Sequence, residues 1–184
     1  MSIPWIDSSN PDVDPLDLEK ALSDNPEEVI VDVVNMNDVE IDDRTRARGI
    51  ALQVLYELDL SDHLPNQIIK ERLESVSLSP ELEVFVEKIV LGVLPYKNII
   101  DGFIETYAPE WPIDQVAVID RNLVRIAVWE FVITSNTPVK VAINESVELA
   151  KLFGSESSPR FVNGVLGNFA ENLHAIRKSL QKHT

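Results

Sequence analysis

Arg44-Thr45-Arg46-Ala47-Arg48-Gly49-Ile50-Ala51-Leu52-Gln53-Val54-Leu55-Tyr56-Glu57-Leu58 is the stretch on which the fold turns. Ala47, Ile50, Ala51, Val54, Leu55 and Leu58 fall at the i, i+3, i+4, i+7, i+8, i+11 spacing of one helical face. The same period continues downstream. Leu64 to Val76 predicts a second, shorter helix. Ser79 and Pro80 open a third, with Leu82, Phe85, Val86, Ile89, Val90 and Val93 facing inward, and Pro95 breaks or kinks it. Ile99 to Tyr107 carries the next apolar face. Asp114 is placed to cap a helix running to about Thr134, and Pro138 opens another that Gly154 stops. Ser158-Pro159 starts a last helix whose inward set runs from Val162 to Leu180. No alternating strand pattern and no repeat interrupts residues 44–184, so the fold class is all-α, a helical bundle.

Upstream of Arg44 the composition changes. Residues 1–43 hold 13 Asp and Glu against one Lys, leaving 18 acids and 15 bases for residues 44–184. The formal net charge of −15 therefore belongs mostly to an N-terminal extension, whose charge and scarcity of apolar side chains predict disorder. The division expected is an acidic extension over 1–43 and a helical domain over 44–184. With the acids set apart, the domain is near neutral and has room for a basic patch. There is no cysteine, His63, His174 and His183 share no metal-ligand spacing, and no apolar run approaches the roughly 20 residues of a membrane span. Met1 to Asn10 lacks the basic start and apolar run of a secretion signal, so a cytoplasmic protein is expected. No Ser-His-Asp set, glycine-rich phosphate loop or carboxylate metal cluster is present. A binding protein without cofactor, and not an enzyme, is the expectation.

Several positions stand apart from the core pattern. Arg48, Leu52 and Tyr56 form an i, i+4, i+8 stripe off the inward face of the first helix: either a partner surface or a side covered by another helix of the bundle. Arg44, Arg46 and Arg48 crowd a helix N-terminus, where cations oppose the macrodipole and guanidinium forks suit phosphate; a solvated start balanced by Asp42 and Asp43 is the alternative. The turn from Gly154 through Ser157 and Ser158 to Arg160 can cradle an anion, although N-capping by Ser158 explains the same serines. Gly164 and Gly167 each cost a helix about 1 kcal/mol against alanine, which points to something close to the backbone. Glu130 sits in the apolar arc of Val116, Ile119, Leu123, Ile126 and Ala127, where a carboxylate needs donors, with the start of the Asn144 helix a source. Trp111, between Pro109 and Pro112, reads as a core plug at a helix corner.

Taken in order, three blocks resemble the NusB family. The arginine-rich start with Ala51 to Tyr56 is similar to its first helix, and Asp120-Arg121-Asn122-Leu123-Val124-Arg125-Ile126-Ala127-Val128-Trp129-Glu130 to its central helix. Most specific are Val141-Ala142-Ile143-Asn144-Glu145-Ser146-Val147-Glu148-Leu149-Ala150-Lys151 and Phe161-Val162-Asn163-Gly164-Val165-Leu166. The resemblance covers residues 44–173. It implies a compact bundle of about seven helices in two subdomains and a transcription antitermination factor that binds boxA RNA of nascent ribosomal transcripts. It implies as partners the ribosomal protein NusE, RNA polymerase and other Nus factors. By the same resemblance Arg44, Arg46, Arg48, Ser157 and Arg160 bind RNA, and Tyr56 and Asp120 face NusE. That face could also form a homodimer. Thr45 interrupts the arginine run, Pro95 lies in a helix usually continuous, and Gly167 stands where an acid is common. Two rivals exist. A methyltransferase carrying such a domain is disfavoured, since no methyl-donor site or catalytic cysteine is present; a protein-interaction module without RNA binding is the other.

Overall fold

The computed structural model describes residues 41–181, so most of the acidic extension expected over 1–43 lies outside the described residues. The described chain is built of eight α-helices: α1 Asp43–Leu60, α2 Pro65–Glu74, α3 Pro80–Val93, α4 Lys97–Tyr107, α5 Val118–Val128, α6 Val139–Phe153, α7 Ser158–Glu171 and α8 Leu173–Leu180. Short 3-10 turns at Leu94–Tyr96 and Ile113–Gln115 precede α4 and α5, and a π turn at Trp129–Ile133 follows α5. Among the described residues there is no strand, as the periodicity predicts. Pro95 falls in the turn that separates α3 from α4, where its missing N–H ends the α-helical ladder.

α1 is the central element. It packs on α2 and α3 on one side and on α5 and α6 on the other, so it is covered almost all round. Ala47, Ile50, Ala51, Val54 and Leu55 are buried as the spacing predicts, but so are Leu52 and Tyr56. Of the two readings of the off-core stripe, cover by other helices of the bundle is the one found. α6 and α7 form the other tightly packed pair, with α5 against both. The boundary expected after residue 43 falls inside the first helix: Asp42 is its N-cap and its carboxylate accepts from the Arg44 and Thr45 N–H groups.

Three local expectations are corrected. Asp114 lies in the 3-10 turn before α5, and α5 itself starts at Val118 with no side-chain cap. Trp111 is no plug: it is 47% exposed, with its ring edge-on to Phe161 at 5.2 Å. The final helix does not run unbroken to Leu180 but divides at Asn172, whose side chain donates to the Asn168 carbonyl.

Candidate nucleic-acid interface

The start of α1 sends its side chains in opposite directions. Arg44 is exposed, with its guanidinium 5.5 Å from the centre of the Phe85 ring on α3. Arg46 is partly exposed and 3.6 Å from Asp43. Thr45 turns inward, its hydroxyl hydrogen-bonded to the Asp42 and Glu145 carboxylates. The residue that interrupts the arginine run therefore occupies a buried position and ties α1 to α6.

Arg48 also turns inward, which the sequence pattern did not show. It is 4% exposed and grips Glu130 through two parallel hydrogen bonds of 2.9 Å, with Glu145 at 3.2 Å from its third nitrogen. The odd acid and the third arginine thus satisfy one another. The Thr137 hydroxyl donates the remaining side-chain bond to Glu130 at 2.8 Å. The donors expected from the helix after Pro138 are not used; Arg48 and Thr137 supply them instead. Burial disfavours the Arg48 charge, but Glu130, Glu145 and Asp42 outweigh it and raise its pKa above the ordinary arginine value. Arg48 is fixed in place as a cation beneath Phe85, 5.4 Å from the ring centre.

At the other end of the candidate surface, the α6–α7 turn is closed by its own serines. The Ser155 N–H donates to Ser158 Oγ at 2.8 Å, so Ser158 closes the turn and does not cap α7, whose N-terminus has no side-chain cap. Gly154 ends α6 without a left-handed conformation. Glycine is needed there because a Cβ would lie 2.4 Å from that of Ser158. Ser157 and Arg160 are exposed beside the uncapped helix start, a position that favours an anion. On the same helix a side chain at Gly164 or Gly167 would meet nothing within 4 Å. No neighbouring helix requires these glycines.

Ser158 is also what connects this turn to Asp120 on α5. Asp120 is 7% exposed, and its Oδ1 has no hydrogen-bond partner. Burial pushes its carboxyl above the usual range, and the Ser158 hydroxyl offsets this only in part. Tyr56 is 5% exposed. Sequence reasoning missed a second buried charge cluster, in which Arg125, 1% exposed, holds Asp101 at 2.6 and 2.8 Å and Asp59 at 2.6 Å, with Lys97 also on Asp59. It clamps α5 to α4 and to the end of α1. Its one sequence signal was an arginine on a strongly apolar helix. Among the described residues no cluster of His, Cys, Asp and Glu can hold a metal, and no helix is long and apolar enough to cross a membrane.

These helices and the sequences on them are similar to those of known proteins. Residues 45–171 match the model of the NusB family. The chain is 46% identical over 137 residues to the transcription antitermination protein NusB of Roseiflexus sp. strain RS-1, covering 73% of this chain and 96% of that protein. It is 41% identical to the protein of the same name from Dehalococcoides mccartyi strain 195, covering 76% and 97%. Among solved structures it resembles NusB of T. maritima with a TM-score of 0.63 and 30% identity, over 70% of this chain and 90% of that one. It also resembles a chain of the complex of antitermination factors NusB and NusE with double-stranded RNA, with a TM-score of 0.61 and 28% identity over 74% and 96%. With its sequence matched from the first turn of α1 to the end of α7, and its helices superposing on those of solved relatives, this chain belongs to the NusB family.

Proposed function

We propose that this protein is a transcription antitermination factor that binds boxA-type RNA of nascent ribosomal transcripts together with NusE. With them it joins the complex formed by RNA polymerase and other Nus factors in the cytoplasm. The observation that carries the reading is the likeness, over 74% of this chain and 96% of the other, to a chain of the NusB–NusE complex with double-stranded RNA. It acts by binding and not by chemistry. Exposed Arg44 and Arg160 and partly exposed Arg46, with Ser157 at the uncapped start of α7, supply phosphate contacts, which hold RNA without reading it. Sequence preference comes from unstacked bases shared with NusE. Arg48 belongs to the same surface as a positioning residue: locked to Glu130, it holds the first turns of α1 and the Phe85 ring beneath Arg44. Asp120 faces NusE, which brings the donor that Oδ1 lacks, and the covered Tyr56 supports that side from within.

The test is fluorescence anisotropy of labelled boxA RNA and a scrambled RNA, titrated with the protein alone and with NusE at two salt concentrations. Binding that prefers boxA, tightens with NusE, weakens with salt and falls in Arg44→Ala and Arg160→Ala is expected. A protein that holds NusE but shows no boxA preference is an interaction module, and the antitermination reading fails.

A further inference from the structure

A groove of about 440 Å³ runs between α2 and α3, on a part of the molecule that the RNA and NusE readings do not use. Its floor is apolar: Ile69 and Leu73 from α2 and Leu91 from α3, the last 46% exposed. Its rim is acidic. Glu83, Glu87 and Leu91 stand at i, i+4, i+8 along α3, a row about 12 Å long at 1.5 Å per residue, and Glu74 faces them from α2. Among the described residues Glu83 and Glu87 enter no ion pair, and the single lysine of the rim, Lys70, reaches Glu74 only at 3.8 Å. Other carboxylates of the same subdomain, Glu57 and Asp59, are neutralised by Arg72, Lys97 and Arg125.

An open trough two turns long with an apolar floor suits the anchor side chains of a helix, spaced i, i+3 or i+4, and i+7. It does not enclose a small molecule. Unpaired carboxylates along the rim select the sign of the occupant. The chain's own N-terminal extension, with 13 acids and one lysine in residues 1–43, has the wrong charge. We propose that the α2–α3 groove docks a Lys/Arg-rich amphipathic helix of another protein. This goes beyond the antitermination reading and stands without it. Phe85, on another side of α3, faces Arg44 and Arg48, so the groove and the arginine surface can be occupied together.

The probe is a labelled helical peptide of about 12 residues with leucines at the three anchor positions and lysines flanking them, set against a scrambled peptide of the same composition. It is titrated into the full ¹⁵N-labelled chain. The expected result is amide shifts over residues 66–74 and 83–91, weaker binding of the scrambled peptide, and affinity lowered about tenfold or more in Glu83→Lys/Glu87→Lys and in Leu91→Ser. These positions are on the rim or half exposed, so the variants should melt with the wild type. Shifts confined to residues 1–43, equal binding of the two peptides, or undiminished binding by the charge-reversed variant would each overturn the proposal. So would groove shifts on self-association of the unliganded chain that Glu83→Lys/Glu87→Lys abolishes, since the occupant would then be a second copy.

Discussion

Among the described residues, Glu130→Leu would leave the Arg48 guanidinium, 4% exposed, with Glu145 as its only ion-pair partner. Breaking one side of a buried pair costs about 3–5 kcal/mol, so the urea midpoint should fall steeply. The pair Arg48→Met/Glu130→Leu removes both charges and should recover most of that loss. The double variant also separates positioning from contact: as a positioning residue Arg48 is replaceable by packing, and boxA binding with NusE should survive. A loss as large as that of Arg44→Ala would make Arg48 a phosphate contact instead. Asp120 works the opposite way. Its carboxyl is raised by burial, so the folded state is penalised once that group ionises, and its stability declines as pH rises from about 3.9 through the raised value. Asp120→Asn, which has no charge to bury at any pH, should therefore match the wild type in acid and exceed it at neutral pH. NusE binding should weaken in the same variant. A stability gap that does not change with pH would show that ionisation of Asp120 is not its source. The inward faces of the helices could be read from spacing because burial repeats every 3.6 residues. The partner of Glu130 could not, because Arg48 lies 82 positions away and a helical wheel assigns direction, not company.

Glycines make a comparable contrast at the scale of the element. α3 passes so close to the π turn after α5 that a Cβ on Gly92 would lie 2.3 Å from the Trp129 ring. Gly92→Ala should force the helix and the ring apart and destabilise the protein by about 1–3 kcal/mol, measured by urea unfolding. Gly164 on α7 meets nothing, so Gly164→Ala should stabilise the chain by about 1 kcal/mol through helix propensity alone. If RNA approaches the α7 backbone there, the same variant binds boxA with NusE more weakly. A gain in stability with unchanged binding would leave Gly164 without a role at the interface. In the sequence each is a glycine inside a helical pattern, with nothing in its spacing to tell the two apart. What distinguishes them is the neighbour, which only tertiary packing supplies. Ser158 illustrates the same limit. A serine before a helix reads as a cap, yet here its hydroxyl accepts from Ser155 and reaches Asp120, because Gly154 lets the turn close on itself.

For the whole molecule, charge is distributed by segment and not by surface. Residues 1–40 carry eleven Asp and Glu and one Lys, so deleting them takes the formal net charge from −15 to −5 while leaving the Asp42 cap of α1 in place. In sequence the acidic extension runs directly into a helix that begins with Arg44 and Arg46, the arginines proposed to contact phosphate, and like charge on the extension would oppose that contact. Every such repulsion is screened over a Debye length of about 8 Å at physiological salt, and a competing acidic segment is released by the same ions that weaken RNA. The effect must therefore be largest at low salt. Deleting residues 1–40 should tighten boxA binding with NusE about 3- to 10-fold in dilute buffer, with the two curves converging as salt rises. With the extension acting as a competitor, the logarithmic salt slope of the full chain should also be shallower than that of the shortened protein. Equal affinities at every salt concentration would mean that the extension stays clear of the arginine surface, and its charge would then need another explanation.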